Sequence, residues 1–412
     1  MNILATSFGS AGDFLPTLAV ASSLHGRGHE VRFVANPFFE AQVRRSGVPF
    51  IPAGAFSDMK AAFEANPKYL NSLSGGRSVW NDFVAPNVLA TYATVLGAIS
   101  SLRPDVVLCN NVSFGGVWAA AEQGIRYVLI AATPLAWINP RAPMIVSEWI
   151  PPRWLQPWLS RVARWAADQV LTQSLKKLAR QLGTIPDPSL RSIETNAALH
   201  LGMWAPTLRQ RLPGDPLGAA VCGFARAGHF VTEVHLPDVE VFLSSGPPPV
   251  VVGLGSAYAL TSGSLIRVVA EVCERSGLRC LIVGYPAAET NFAGSVLAVR
   301  SAPYHLVFPR AAAVVIHGGA GTTGEALRSG RPILALPFAF DQFHMANEVE
   351  AAGAGIWVRK RDRSPNGILK ELTRLISDVR FAQRASDLAR SLSGEPDGAK
   401  TAAELIEQLP VA

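Results

Sequence analysis

"HGGAGTTGEALRSGRP", His317 to Pro332, decides how the rest of this chain is read. One histidine stands ahead of four glycines in seven residues, and a helical run follows. Glycine carries an entropic cost unless the backbone must approach something closely or adopt φ > 0. Gly324-Glu325-Ala326-Leu327-Arg328 reads as the first turns of a helix, stopped by Gly330 and Pro332. A glycine-rich loop feeding a helix N-terminus turns backbone N–H groups and the helix dipole toward an anion, most often a phosphate. A bare strand-to-helix turn would explain one or two of the glycines. It explains neither the histidine nor the hydroxyls of Thr322 and Thr323, so the anion-binding reading is preferred.

Length and composition bound what surrounds this loop. With 412 residues, two domains are expected, each large enough for its own core. Hydrophobic residues make up 49% and charged residues 17%, a globular balance. The four cysteines show no metal-ligand spacing, which argues against structural zinc and disulfides and fits a reducing compartment. The opening Met1-Asn2-Ile3-Leu4-Ala5-Thr6 reads as a strand, not a signal peptide, and no uninterrupted apolar run approaches the roughly 18 residues of a membrane span. A cytoplasmic protein is expected. The net charge is +6, but Arg and Lys are scattered instead of forming an aromatic-interleaved stripe, so no nucleic-acid partner is expected. The densest basic cluster, Arg153 to Arg180, is Trp-rich and amphipathic, with Leu155, Leu159, Val162 and Trp165 near one face. A core-packed helix is the favoured reading; contact with a lipid surface or a lipophilic ligand is the less favoured one.

Short β-rich apolar runs alternate with helical ones in both halves, the pattern of an α/β fold with doubly wound parallel sheets. In the first half a strand at the N-terminus gives way to the loop "FGSAGDFLP" and a helix from Pro16 to about His25. "HLPDVEVFLSSGPPP" looks like the connection between halves. Two Rossmann-like halves facing each other form a cleft, with ligands beyond the carboxyl ends of the strands. Three glycine loops sit at such ends: Gly9 to Gly12, Gly253-Leu254-Gly255-Ser256 and Gly318 to Gly321. "FGSAGDF" lacks the G-x-G-x-x-G spacing and the second strand ends in Asn36, which disfavours a dinucleotide dehydrogenase. No P-loop string occurs. What remains is a nucleotide diphosphate held mainly by the C-terminal half, facing an acceptor held by the other.

At this point the residues carry a family resemblance. The glycine-loop stretch, followed by Asp341-Gln342, resembles the nucleotide-sugar signature of inverting glycosyltransferases with the GT-B fold. "GSAGDFLPTLAVASSLHGRGHEV" is similar to the opening of their bacterial branch, which includes rhamnolipid rhamnosyltransferases, sterol glucosyltransferases and antibiotic glycosyltransferases. The expected organisation is an acceptor-binding Rossmann-like domain over 1–215, a nucleotide-sugar domain over 216–390, and a C-terminal helix within 391–412 packing back on the first. The resemblance implies that His317 and the backbone of Gly319, Ala320, Gly321 and Thr322 hold the diphosphate, with Ser256 beside them. It implies that Glu325 binds the ribose, that Ala302 reads the base through its backbone, and that Asp341 and Gln342 hold the sugar. A carboxylate at 325 can accept both hydroxyls of a ribose diol, which thymidine sugars lack, so a UDP-sugar is favoured over a dTDP-sugar. No metal and no bound cofactor are expected, because the helix N-terminus stabilises the departing diphosphate.

Displacement at the anomeric carbon needs a base for the acceptor hydroxyl. Many relatives place a histidine in the first loop; here there is none before His25, and the resemblance assigns the role to Asp13. A helix-capping Asp is the alternative for that residue. His25 and His29 read as solvated surface groups. Trp80, Phe83, Trp137 and Met144 lie on expected loops and suit an apolar acceptor such as a lipid, polyketide or polyphenol, although each is as readily a core residue. Other readings are a GT-B epimerase or hydrolase acting on the donor alone, and a non-catalytic partner that keeps the fold.

Overall fold

The computed structural model describes residues 1–410 except 59–61, 63–65, 67–68, 70–74, 143, 184–186, 231–236, 256–262 and 285–293. Two all-parallel sheets hold the chain together. The first contains β1 (Asn2–Thr6), β2 (Glu30–Ala35), β3 (Phe50–Pro52), β4 (Val106–Asn110), β5 (Arg126–Ala131), β6 (Leu199–Gly202) and β7 (Ala219–Val221), in the order 3-2-1-4-5-6-7. The second contains β8 (Val250–Gly253), β9 (Cys280–Val283), β10 (Val296–Val299), β11 (Ala313–Ile316), β12 (Ile333–Ala335) and β13 (Gly355–Trp357), in the order 10-9-8-11-12-13. β4, β8, β9 and β11 are buried along their whole length. That is why "VVLCN", "VVVG", "CLIV" and "AVVI" run as continuous apolar stretches without alternation: helices cover both faces of a parallel sheet.

Six helices matter most for the site: α1 (Ala11–Gly26), α2 (Ala85–Leu102), α3 (Gln156–Leu182), α4 (Ala320–Arg328), α5 (Gln342–Ala351) and α6 (Gly398–Glu407). The run Arg77–Leu102, which ends in α2, is long and apolar enough to cross a bilayer. It lies against the first sheet with Val88, Tyr92, Val95 and Ile99 buried in its core.

Four expectations change here. α1 begins at Ala11, not Pro16, because Asp13 reaches back to Ser10 in a capping box, a Ser-x-x-Asp pattern present in the sequence. The first sheet continues to β7, past the boundary expected after residue 215. The expected connection between halves contains the helix Pro237–Ser244, whose Val239 and Leu243 enter the second core. α3 buries Leu175, Leu178 and Ala179, whereas Val162 and Trp165 face outward.

The chain crosses between domains twice, and the crossings touch. Gly398 N–H donates to the Phe224 carbonyl at 3.3 Å, and a Cβ on Gly398 would lie 2.0 Å from the Gly223 oxygen. After the second crossing α6 packs on α1. Its Ala399, Ala402, Ala403 and Ile406 form one apolar stripe at helical spacing, buried with Leu18, Ala21 and Leu24. Glu407 at its end takes a paired hydrogen bond from Arg27 (2.9 and 2.6 Å) and lies 2.7 Å from His29, so His29 is tied to the C-terminal helix instead of being solvated. Ile406→Ala is expected to cost about 2–5 kcal/mol, the usual range for a truncated buried isoleucine; urea unfolding measures it.

Candidate active site

Strand order reverses between β1 and β4 in the first sheet and between β8 and β11 in the second. Loops leaving the carboxyl ends at such switch points diverge and open a crevice. In the second domain these loops are Leu254-Gly255 and His317-Gly318-Gly319. The His317 ring sits between glycines: a Cβ on Gly255 would lie 2.6 Å from its Cε1, and one on Gly319 2.4 Å from its Nε2. Burial lowers the His317 pKa to about 4, opposed by a hydrogen bond to the Gly253 backbone, so the ring is neutral at pH 7.

Each glycine of the motif has its own reason. Gly318 has φ +90°, and a Cβ there would lie 2.6 Å from the Gln342 carbonyl oxygen. Gly324 backs onto Phe224, whose ring a Cβ would approach to 2.7 Å. Gly321 differs, since a Cβ there would meet nothing within 4 Å. It lies in the first turn of α4, which starts at Ala320, four residues before the expected point, and has no side-chain cap. The first-turn N–H groups therefore have no side-chain acceptor from the cap, as an anion seat requires.

α5 starts beside this seat. Its first residue, Gln342, accepts from the backbone N–H groups of Phe338 (2.9 Å) and Ala339 (3.3 Å) through Oε1, leaving its NH2 to donate. The preceding Phe340 holds φ +55°, a costly conformation for a residue with a Cβ, and it presents Asp341 at the helix entrance. Desolvation raises the Asp341 pKa to about 7, and the second cause is the charge of Asp13 on the opposite domain.

Asp13 stands at the switch point of the first sheet. Its Oδ2 accepts from Ser10 N–H (3.0 Å) and Ser10 Oγ–H (2.9 Å). Desolvation raises its pKa against these hydrogen bonds. The loop carrying it is clamped by Asn110, which accepts from Phe8 N–H (3.2 Å) and donates to the Phe8 carbonyl (2.5 Å), while Ser113 donates to Asn110. Two carboxyl groups, one from each domain and each at the carboxyl end of its sheet, thus sense each other's charge. Among the described residues, no three His, Cys, Asp or Glu side chains gather as metal ligands.

Residues 3–133 match the glycosyltransferase family 28 N-terminal domain, and residues 286–408 match the erythromycin biosynthesis protein CIII-like C-terminal domain. The chain belongs to the GT-B glycosyltransferases. A sterol 3-beta-glucosyltransferase of Arabidopsis thaliana is 26% identical over 369 residues, 84% of this chain, and the chain spans only 58% of that relative's length. The glycotransferase of kitacinnamycin superposes with a TM-score of 0.74 at 22% identity, covering 99% of both chains. A spinosyn rhamnosyltransferase complexed with thymidine diphosphate superposes at 0.70 and 20% identity, covering 98% of this chain and all of that one.

In this GT-B glycosyltransferase, His317, Gly319, Ala320, Gly321, Thr322, Asp341 and Gln342 come together on the cleft side of the second domain. Glu325 is one turn along α4, held by Arg328 at 3.1 Å. Arg328 was not among the expected site residues, although its i, i+3 spacing from Glu325 is readable. Ala302 lies before Tyr304, whose hydroxyl accepts from Gly255 N–H at 3.3 Å and so supports the β8 loop. Ser256 lies outside the described residues. The aromatic acceptor candidates are less open than expected. Trp80 and Phe83 belong to a helical turn, Trp80–Val84, instead of a loop, with Phe83 buried against Tyr69. Trp137 is buried 4.6 Å from Trp204 at the seam between domains, with the Arg209 guanidinium 5.6 Å from each ring. Met144 remains half-buried.

Two glycine variants separate packing from ligand seating. Gly319→Ala should destabilise the fold by about 1–3 kcal/mol through overpacking against His317. Gly321→Ala should leave the melting temperature unchanged or higher while weakening nucleotide-induced stabilisation. The pH dependence follows from Asp341. Its folded pKa near 7 exceeds the ordinary 3.8, so between these values the folded state holds the extra proton and stability falls as pH rises. Asp341→Asn should flatten that decline, seen as a smaller loss of melting temperature from pH 5 to pH 7 than in the wild type.

Proposed function

We propose that the chain transfers a sugar from a nucleotide diphosphate donor, a UDP-sugar by preference, to a hydroxyl of a lipophilic small molecule, with inversion and without a metal ion. The observation that carries this reading is the placement of Asp13, held by Ser10 at the switch point of the first sheet, and of Asp341, at the entrance of α5 in the second domain, within reach of each other's charge. The acceptor oxygen attacks the anomeric carbon while the bond from that carbon to the diphosphate breaks on the opposite face. Asp13 takes the acceptor's proton. Ser10 occupies only one of its carboxylate oxygens, and desolvation makes it more basic than an ordinary aspartate.

The diphosphate leaves toward the N-terminus of α4. His317 is neutral at pH 7 and takes up a proton from solvent as the anion arrives, because a nearby negative charge favours the imidazolium. It then donates to the leaving oxygen. Asp341 and the Gln342 NH2 hold sugar hydroxyls, and Glu325, oriented by Arg328, takes the ribose diol. The thymidine diphosphate in the spinosyn enzyme supports a nucleotide in this fold, and the name of the Arabidopsis relative supports a lipophilic hydroxyl acceptor.

Mass spectrometry of products from a UDP-sugar panel with lipophilic alcohols and phenols tests the reading as a whole. Glycosylated acceptor is expected, whereas free UDP at full rate without acceptor would mean a donor-only enzyme. Asp13→Asn should lower turnover by roughly 10²–10⁴, the usual worth of a positioned base. The variant keeps a hydrogen-bond acceptor for Ser10, so melting temperature and UDP-induced stabilisation should survive. EDTA should leave the wild-type rate unchanged. UDP-glucose should raise the melting temperature more than dTDP-glucose, and Glu325→Ala should narrow the difference.

A further inference from the structure

Trp149, Trp154, Trp158 and Trp165 are 60%, 79%, 57% and 65% exposed, although tryptophan is among the most burial-prone side chains. They lie within 17 residues on the approach to α3 and along its first half. The exposed face continues through Val162, Gln169, Lys176 and Arg180 at helical spacing, while Leu175, Leu178 and Ala179 anchor the opposite face in the core of the first domain. From Trp149 to Gly183 there are six basic residues and one acidic, Asp168. That acid lies 3.7 Å from Arg164, which also pairs with Glu194, so the outward charge is positive.

We propose that this face docks on an anionic lipid bilayer. Indole combines a large apolar body with one N–H donor and suits the boundary between acyl chains and headgroups, where tryptophan concentrates in membrane proteins. Arg153, Arg161, Lys176 and Lys177 meet the lipid phosphates while the rings enter the interface, the usual division of labour in a helix lying flat on a membrane. A second copy of the chain fits less well, because a two-fold contact would oppose like charges.

A cavity of about 1090 Å³ adjoins the face. Ile150, Pro151, Pro152 and Pro157 line one side, and Asn347 and Ala351 of α5 line another. Arg153 and Arg161 of the basic set also line it, so the hollow opens beside the face that docks. Docking requires neither donor nor acceptor.

The test uses the full chain with no donor present, pelleted with vesicles of phosphatidylcholine alone or with phosphatidylglycerol added. Binding to the anionic vesicles is expected, weakening as salt rises, with a blue shift in tryptophan emission. The exposed-face variant Trp154→Ser/Trp158→Ser/Trp165→Ser should bind roughly tenfold more weakly or worse, with an unchanged melting temperature and unchanged UDP-induced stabilisation. Arg161→Glu/Lys176→Glu/Lys177→Glu should abolish the preference for phosphatidylglycerol. Failure of the wild type to pellet with anionic vesicles would overturn the proposal, as would equal binding by the tryptophan variant. A wild-type dimer that the tryptophan variant dissolves, without vesicle binding, would assign the face to self-association instead.

Discussion

The His317 ring occupies a slot that only glycine can border on both sides. Gly255 comes from the end of one strand and Gly319 from the end of its neighbour, and either Cβ would overlap the imidazole. With the ring fixed, the backbone after β11 must pass close to Gln342, which Gly318 alone permits. The helix that follows then emerges with its uncapped end facing the crevice. Close packing around one side chain thus fixes the backbone that leads into the helix of the donor half.

Across the crevice the constraint is electrostatic. Asp13 and Asp341 both lie where water is scarce, and desolvation makes each hold its proton more firmly, with the charge of Asp13 adding to the effect on Asp341. A hydroxyl-bearing ligand can donate to a carboxylate there and accept from a protonated carboxyl group. Ser10 and Asn110 bear the cost on the first domain by fixing the loop that carries Asp13.

Much of this was legible in the sequence. Fully buried parallel strands need continuous apolar runs, so the two sheets could be read from "VVLCN" or "AVVI" alone, and the glycine loop announced itself through its density. The start of α1 is ambiguous in the sequence because Pro16, a strong helix-start signal, competes with the Ser10–Asp13 capping pair that sets it in the structure. Phe83 and Trp137 were unreadable for another reason: a loop aromatic and a seam aromatic have the same sequence, and only the partners, Tyr69 and Trp204, distinguish them. Arg328 escapes the motif because the family signature assigns Glu325 to the ribose and carries nothing about the neighbour that orients it. The outward tryptophans of α3 went the other way, since amphipathic spacing fixes which residues share a face but not which face turns inward.

The first domain is made of two pieces of chain, residues 1–230, whose Cys222, Ala227 and Phe230 still bury in its core, and α6, with the second domain strung between them. The two pieces touch close to both crossings, where Gly398 N–H donates to the Phe224 carbonyl. A segment whose ends lie that close can be lifted out and another of any internal size put in its place, because the host need not reposition its own backbone to reconnect. The packing of α6 on α1 would be indifferent to the exchange. In this architecture the second domain is a cassette, and recombination among relatives can trade it as a unit through a single joint.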